Sequence, residues 1–209
     1  MHTIDKQFSF CYGHRVWSQQ LDKDFCEKGD ANCKCRHIHG HEATVHVFLE
    51  SDSLERGMVT DFKHLGWLNT FFNDHLDHKF IVDLSDPWLN NITGLEPIWH
   101  KSETSTRVRC FKPRRPLNTT EETEIQAQPI AIPGLRDYYI TGYKADAFEL
   151  QGPEREFVES FFFVNFLPTS ENFARWIFEI AEKKMEPLNV RVSRVDWWET
   201  PKSRSSYSK

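Results

Sequence analysis

The chain has 209 residues, of which 39% are hydrophobic and 14% aromatic, enough to bury one good-sized core. A net charge of -5 argues against a general nucleic-acid binder, which carries a basic stripe, but leaves room for a locally basic pocket. No window approaches the roughly 20 apolar residues of a membrane span, and an odd count of five cysteines without a basic-then-apolar start points to reduced thiols in a cytoplasmic setting.

In chain order, Phe8, Phe10 and Tyr12 recur at period two, which predicts a strand over residues 4–14 ending at His14. Residues 18–35 are polar, with Gly29, Asp30 and Asn32, and read as a loop. From His39 to Leu49 the odd positions His39, His41, Ala43, Val45, Val47 and Leu49 form one face of a half-buried strand. The segment 57–78 places Phe62, Leu65, Leu68, Phe72 and Leu76 at spacings of three and four, an amphipathic helix with Asp61 as its cap.

Residues 85–157 hold seven of the ten prolines. There, residues 117–129 read as an exposed loop, 107–111 and 136–143 as strands of hairpins, and 156–166 as a strand returning to the main fold. A second helix is expected over 170–185, capped by Thr169 or Ser170 and stopped by Pro187. Its stripe is Phe173, Ile177, Ile180 and Ala181. A last strand covers 190–199, and the polar tail 200–209 is expected to fray.

The chemistry concentrates in CRHIHGH, residues 35–41. Histidines two apart on a strand project from one face, within reach of one metal, and Gly40 between them admits a close backbone or substrate. If the first two strands pair, His14 completes a three-histidine set that leaves a fourth position open, the catalytic arrangement for zinc. A competing reading groups Cys26, Cys33, Cys35 and His37 as a closed structural site, although their spacing matches none of the common zinc patterns. His46 and His64 read as solvated, and His2, His75 and His100 carry no functional reading.

Taken in order, FSFCYGHRV, CRHIHGH, GMVTDF, LDHKF and PTSENFARWIF, then a strand ending in Glu199, resemble the successive blocks of the 6-pyruvoyl-tetrahydropterin synthase family. The resemblance implies an α+β tunnelling fold (T-fold) spanning 1–209. It has a four-stranded antiparallel sheet with two helices on one face, and here a long insertion at 85–157. It implies subunits that close edge to edge into a barrel and stack as a homohexamer, a dimer of trimers, with sites at subunit interfaces.

It further implies Zn2+ held by His14, His39 and His41, and proton transfer by Cys35, Asp77 and His78. Thr169, Ser170 and Glu199 then lie against the pterin of a small-molecule substrate, 7,8-dihydroneopterin triphosphate. Cys35 beside a metal and a histidine is expected to ionise to a thiolate at pH 7. The Cys-x3-His-Gly-His spacing resembles the branch that makes 6-carboxy-tetrahydropterin, releasing acetaldehyde and triphosphate, in 7-deazaguanine (queuosine-type) biosynthesis. Formation of 6-pyruvoyl-tetrahydropterin, side-chain aldol cleavage, and a non-catalytic zinc-binding module remain the alternatives.

Overall fold

A computed structural model describes residues 1–26, 33–101, 106–114, 124–132, 134–135 and 140–209. The first strand, β1 (His2–His14), folds back on β2 (His39–Ser51) in antiparallel register. That register sets His14 opposite His39 and Tyr12 opposite His41. Gly40 is required by this packing: a Cβ there would lie 2.9 Å from the Tyr12 carbonyl oxygen, so the close neighbour it admits is the backbone of β1.

The connection between β1 and β2 holds 3-10 turns at Lys23–Phe25 and Lys34–Arg36; Gly29, Asp30 and Asn32 lie outside the described residues. The helix expected over 57–78 is shorter. Asp61 caps a 3-10 turn, Phe62–Leu65, by accepting from the Lys63 amide, and α1 (Gly66–His75) follows. Leu65, Leu68, Phe72 and Leu76 are buried as the spacing requires, whereas Phe62, on the capping turn, is 51% exposed.

Among the described residues the sheet is ten-stranded, which corrects the expectation of four. The antiparallel strands β9 (Arg191–Thr200) and β10 (Ser203–Tyr207) join β2 and β1 at one end, in the order β10-β9-β2-β1. The sheet then continues through β3 (Lys79–Asp83), parallel to β1, and β8 (Phe161–Val164), parallel to β3. Beyond β8 come β7 (Ile140–Ala145), β6 (Ile125–Ala131), β5 (Thr106–Pro113) and β4 (Leu95–Lys101), paired as antiparallel hairpins.

Two helices of this middle segment, α2 (Leu89–Thr93) and α3 (Gly152–Glu159), flank those hairpins in sequence. Residues 125–129, expected in a loop, are therefore strand, and 156–159, expected in a strand, are helix. Residues 115–123 and 136–139, with Tyr138 and Tyr139, lie outside the described residues.

The sheet grows because β3 and β8 are buried on both faces. Ile81, Phe162 and Val164 join the core built by β1, β2, β9, α1 and the long α4 (Ser170–Met185). Val82, Phe161 and Phe163 join a second core with Leu89, Val108, Phe111 and Val158. Unbroken apolar runs such as FFFV are the signature of strands covered on both sides.

Gly142 lets β7 approach β8, because a Cβ there would meet the Phe162 ring at 2.5 Å and the Phe163 carbonyl at 2.9 Å. The tail does not fray. Strand β10 pairs with β9, Tyr207 packs edge-on against Phe178, and Lys209 pairs with Glu182. No described helix is long and apolar enough to cross a membrane.

Candidate active site

The β1–β2 register gathers His14, His39 and His41 so that one ligand nitrogen from each lies within 4.8 Å of the others. Ring centroids are 4.5 to 5.1 Å apart. Among the described residues this is the one cluster able to hold a metal; Cys26, Cys33, Cys35 and His37 do not form a second.

Two of the tautomers are set by backbone carbonyls. His14 Nδ1 lies 2.6 Å from the Pro168 oxygen and His39 Nδ1 2.8 Å from the His37 oxygen. A carbonyl only accepts, so each Nδ1 carries the proton and each Nε2 keeps its lone pair. His14 Nε2 is buried without a hydrogen-bond partner, a costly arrangement unless a ligand completes it. Burial pulls the His14 imidazolium down to about 4 and lowers His41 as well, so these rings are neutral at pH 7, the form that binds metal. The donor set fits Zn2+, which takes neutral imidazole and tolerates three protein ligands.

Glu199 closes one side. Its Oε1 stands 3.9 Å from His14 Nε2 and accepts from the Tyr12 hydroxyl at 3.4 Å, while Tyr12 accepts from Trp197 Nε1 at 3.4 Å. Burial, then the charge of Glu171, raises the Glu199 carboxyl above its ordinary range. Tyr12 was absent from the sequence-derived site. Its signal was available, since it shares with His14 the face of β1 that carries the ligand. A groove of about 530 Å3 opens beside His41 and Glu199, walled by Thr44, Trp198 and Pro201.

The remaining expected residues are dispersed. The Cys35 carbonyl accepts from the Val16 amide at 2.8 Å, which ties its turn to the end of β1. Burial first, then a hydrogen bond with Cys33, pushes the Cys35 thiol up to about 11. Thr169 caps α4, its hydroxyl accepting from the Asn172 amide, and Ser170 Oγ lies 2.7 Å from Ser205 Oγ on β10.

Asp77 accepts from the Cys11 amide at 2.9 Å and from His78 Nδ1 at 3.0 Å. His78 has a φ of 57°, unusual for a residue with a side chain, and its imidazole is 81% exposed. Among the described residues no hydrogen bond, ion pair or ring contact joins this pair to the histidine triad.

Fold and site together define an α+β protein with a three-histidine cluster able to hold a metal at the end of its first hairpin. The family model described as 6-pyruvoyl tetrahydropterin synthase matches residues 3–209. A protein of Aquifex aeolicus named 6-carboxy-5,6,7,8-tetrahydropterin synthase is 26% identical over 213 residues, covering 98% of this chain and 96% of that one. A Synechocystis protein of the same name is 34% identical over 136 residues, 54% of this chain and 96% of its own. The crystal structure of an uncharacterized protein from Wolinella succinogenes superposes with a TM-score of 0.72 at 36% identity, covering 100% of this chain and 98% of that one. The chain belongs to the 6-pyruvoyl tetrahydropterin synthase family.

Proposed function

We propose that the protein is a zinc-dependent carbon–carbon lyase. It converts 7,8-dihydroneopterin triphosphate to 6-carboxy-5,6,7,8-tetrahydropterin with release of acetaldehyde and triphosphate, in cytoplasmic 7-deazaguanine biosynthesis. The observation that carries this reading is the triad of imidazoles beside a half-buried carboxylate at a groove wall. His14, His39 and His41 hold the zinc, which when bound supplies Lewis-acid chemistry to the substrate's side-chain oxygens.

The chain's own groups do the rest. Glu199 accepts hydrogen bonds from the pterin ring, and the Tyr12–Trp197 chain fixes its position. Cys35 serves as a proton-transfer group on the turn that the Val16–Cys35 hydrogen bond ties to the end of β1. Asp77 accepts from Nδ1 of His78 and so leaves Nε2 free to take a proton. Thr169 and Ser170 act by holding the start of α4, whose preceding carbonyl at Pro168 sets the His14 tautomer.

The exposed Asp77–His78 pair, apart from the triad within one chain, favours a homohexamer of two stacked trimers in which one subunit supplies this pair to a neighbour's triad. Residues 85–157 are an elaboration inside one domain of 1–209, since they complete the second face of β3 and β8. Metal-replete protein incubated with 7,8-dihydroneopterin triphosphate tests the reading by mass spectrometry of its products. Acetaldehyde and 6-carboxy-tetrahydropterin in equal amounts are expected. A 6-pyruvoyl product without acetaldehyde would move the protein to the sister reaction, and no turnover to a binding role.

A further inference from the structure

The turn that carries Asp77 and His78 is tied on both shoulders to residues 85–157. On one side Lys144 of β7, half-buried, donates from Nζ to the Asp74 carbonyl near the end of α1. That oxygen is one of the last four carbonyls of the helix, which lack partners within it and carry the negative end of its dipole, so a cation is favoured there on both counts. On the other side Lys79, the residue after His78, donates from Nζ to the Glu159 carbonyl at 2.7 Å, at the end of α3. The Phe80 amide adds a bond of 2.8 Å to the Ser160 carbonyl. Each lysine thus caps a helix across the seam between the first core and the middle segment.

Between these ties the backbone has little freedom. The Phe72 carbonyl takes both the Leu76 and the Asp77 amides, the His78 amide donates to the Cys11 carbonyl at 2.7 Å, and the Lys79 amide returns to the Leu76 carbonyl at 3.1 Å. His78 is held at a φ of 57°, which a residue with a Cβ adopts only when its surroundings impose it. Its imidazole is mostly exposed, so packing of the ring does not impose that conformation and the backbone ties must.

Lys144 is delivered by close strand packing. Gly142, two residues earlier on the same face of β7, lies against the Phe162 ring, which stacks on His75 at the last position of α1. Burial, then the Lys79 charge, lowers the Lys144 ammonium from its usual range, while Asp74 and Glu159 oppose the shift, so the four charges form one group.

We propose that Lys144 is a positioning residue for the Asp77–His78 pair: by holding the end of α1 it fixes the turn from which His78 presents its imidazole. The middle segment thereby serves the site through the backbone of that turn. The catalytic consequence rests on the reaction proposed above, in which the pair transfers protons.

The test compares Lys144→Met, which keeps the length of the side chain without its charge, with Lys144→Arg, which keeps a charged donor. Zinc-loaded proteins are followed by hydrogen exchange read by mass spectrometry and by steady-state kinetics with 7,8-dihydroneopterin triphosphate. In Lys144→Met, amide exchange over residues 76–80 should quicken about tenfold or more, with residues 36–45 at the triad unchanged. The variant's kcat should fall about tenfold or more while KM and zinc per chain stay within about twofold, and Lys144→Arg should restore both exchange and kcat. Should Lys144→Met not fold, Lys144→Gln, whose neutral stem is too short to reach the Asp74 carbonyl, is read the same way.

Unchanged exchange over residues 76–80 overturns the assignment. So does a rise spread evenly over α1, β7 and β8, which marks a lysine that only stabilises the fold, and so does a turn that loosens while kcat holds. If the parent never turns the substrate over, the proposed reaction falls, and the exchange data alone decide whether Lys144 holds the turn.

Discussion

At the residue scale the site depends on which nitrogen of each imidazole carries a proton. Carbonyls of Pro168 and His37 make that choice for His14 and His39, so the Nε2 lone pairs of both rings are left free. His39→Ala should lower zinc from about one per chain to near zero with the far-ultraviolet spectrum retained, since His39 is only half-buried. Elemental analysis of the dialysed variant is the check, and full zinc would remove His39 from the ligand set.

Cys35 carries a separate expectation. Cys33 raises its thiol, so Cys33→Ala should move the midpoint of Cys35 alkylation by iodoacetamide to lower pH, resolved by peptide mass mapping. An unmoved midpoint would mean that Cys33 has no hold on Cys35. The histidine cluster was legible in the sequence because a strand's period of two is strict: His39 and His41 share a face by necessity. The tautomers were not, because Pro168 is remote from His14 in sequence and is brought to it by tertiary packing alone.

At the element scale the end of α1 holds a pH-sensitive contact. His75 stacks on Phe162 and meets Phe71 edge-on, and burial first, then nearby Lys144, lowers its pKa from 6.5 to about 4. The unfolded chain takes up this proton below about pH 6.5 while the folded chain refuses it. Stability is thus lost as pH falls from 6.5 toward 4. Partial exposure of the ring screens the effect, leaving about 1–2 kcal/mol.

His75→Phe should flatten that slope, read as the difference between parent and variant in urea midpoints at pH 7 and pH 5. His14 and His41 shift in the same direction and are present in both proteins, so their contribution cancels. A parallel slope in the two proteins would contradict the assignment. Helix α4 was readable because its stripe and its cap agree. Strand β10 was not: SRSSY has no apolar alternation, and its order comes from the edge of β9 and one aromatic contact. Helix α3 was obscured by the aromatic run that follows it, which drew the start of the strand from Phe161 back to residue 156.

At the scale of the whole molecule, β3 and β8 weld two cores into one body. Phe163 lies in one core and Phe162 in the other, although the two are neighbours in sequence. Replacing either by alanine should cost about 3–5 kcal/mol. In calorimetry each variant should lower one common unfolding transition rather than split it. Two separate transitions, with each variant moving only its own, would show that the shared strands do not couple the halves. The sequence marked both runs as strongly apolar but gave no sign that two layers compete for them, because burial on a second face leaves no period to read.

The same doubly covered strands shape how the chain emerges during synthesis. Residues Lys79–Asp83 can pair with β1 as soon as they emerge, but their second partner strand is complete only once Val164 has been made. Until then a nascent chain displays an apolar strand with one free edge, the kind of surface that recruits chaperones or self-associates. Slower translation or added holdase is therefore expected to raise the soluble fraction in overexpression, as measured by fractionation of the lysate, without changing any contact of the finished fold.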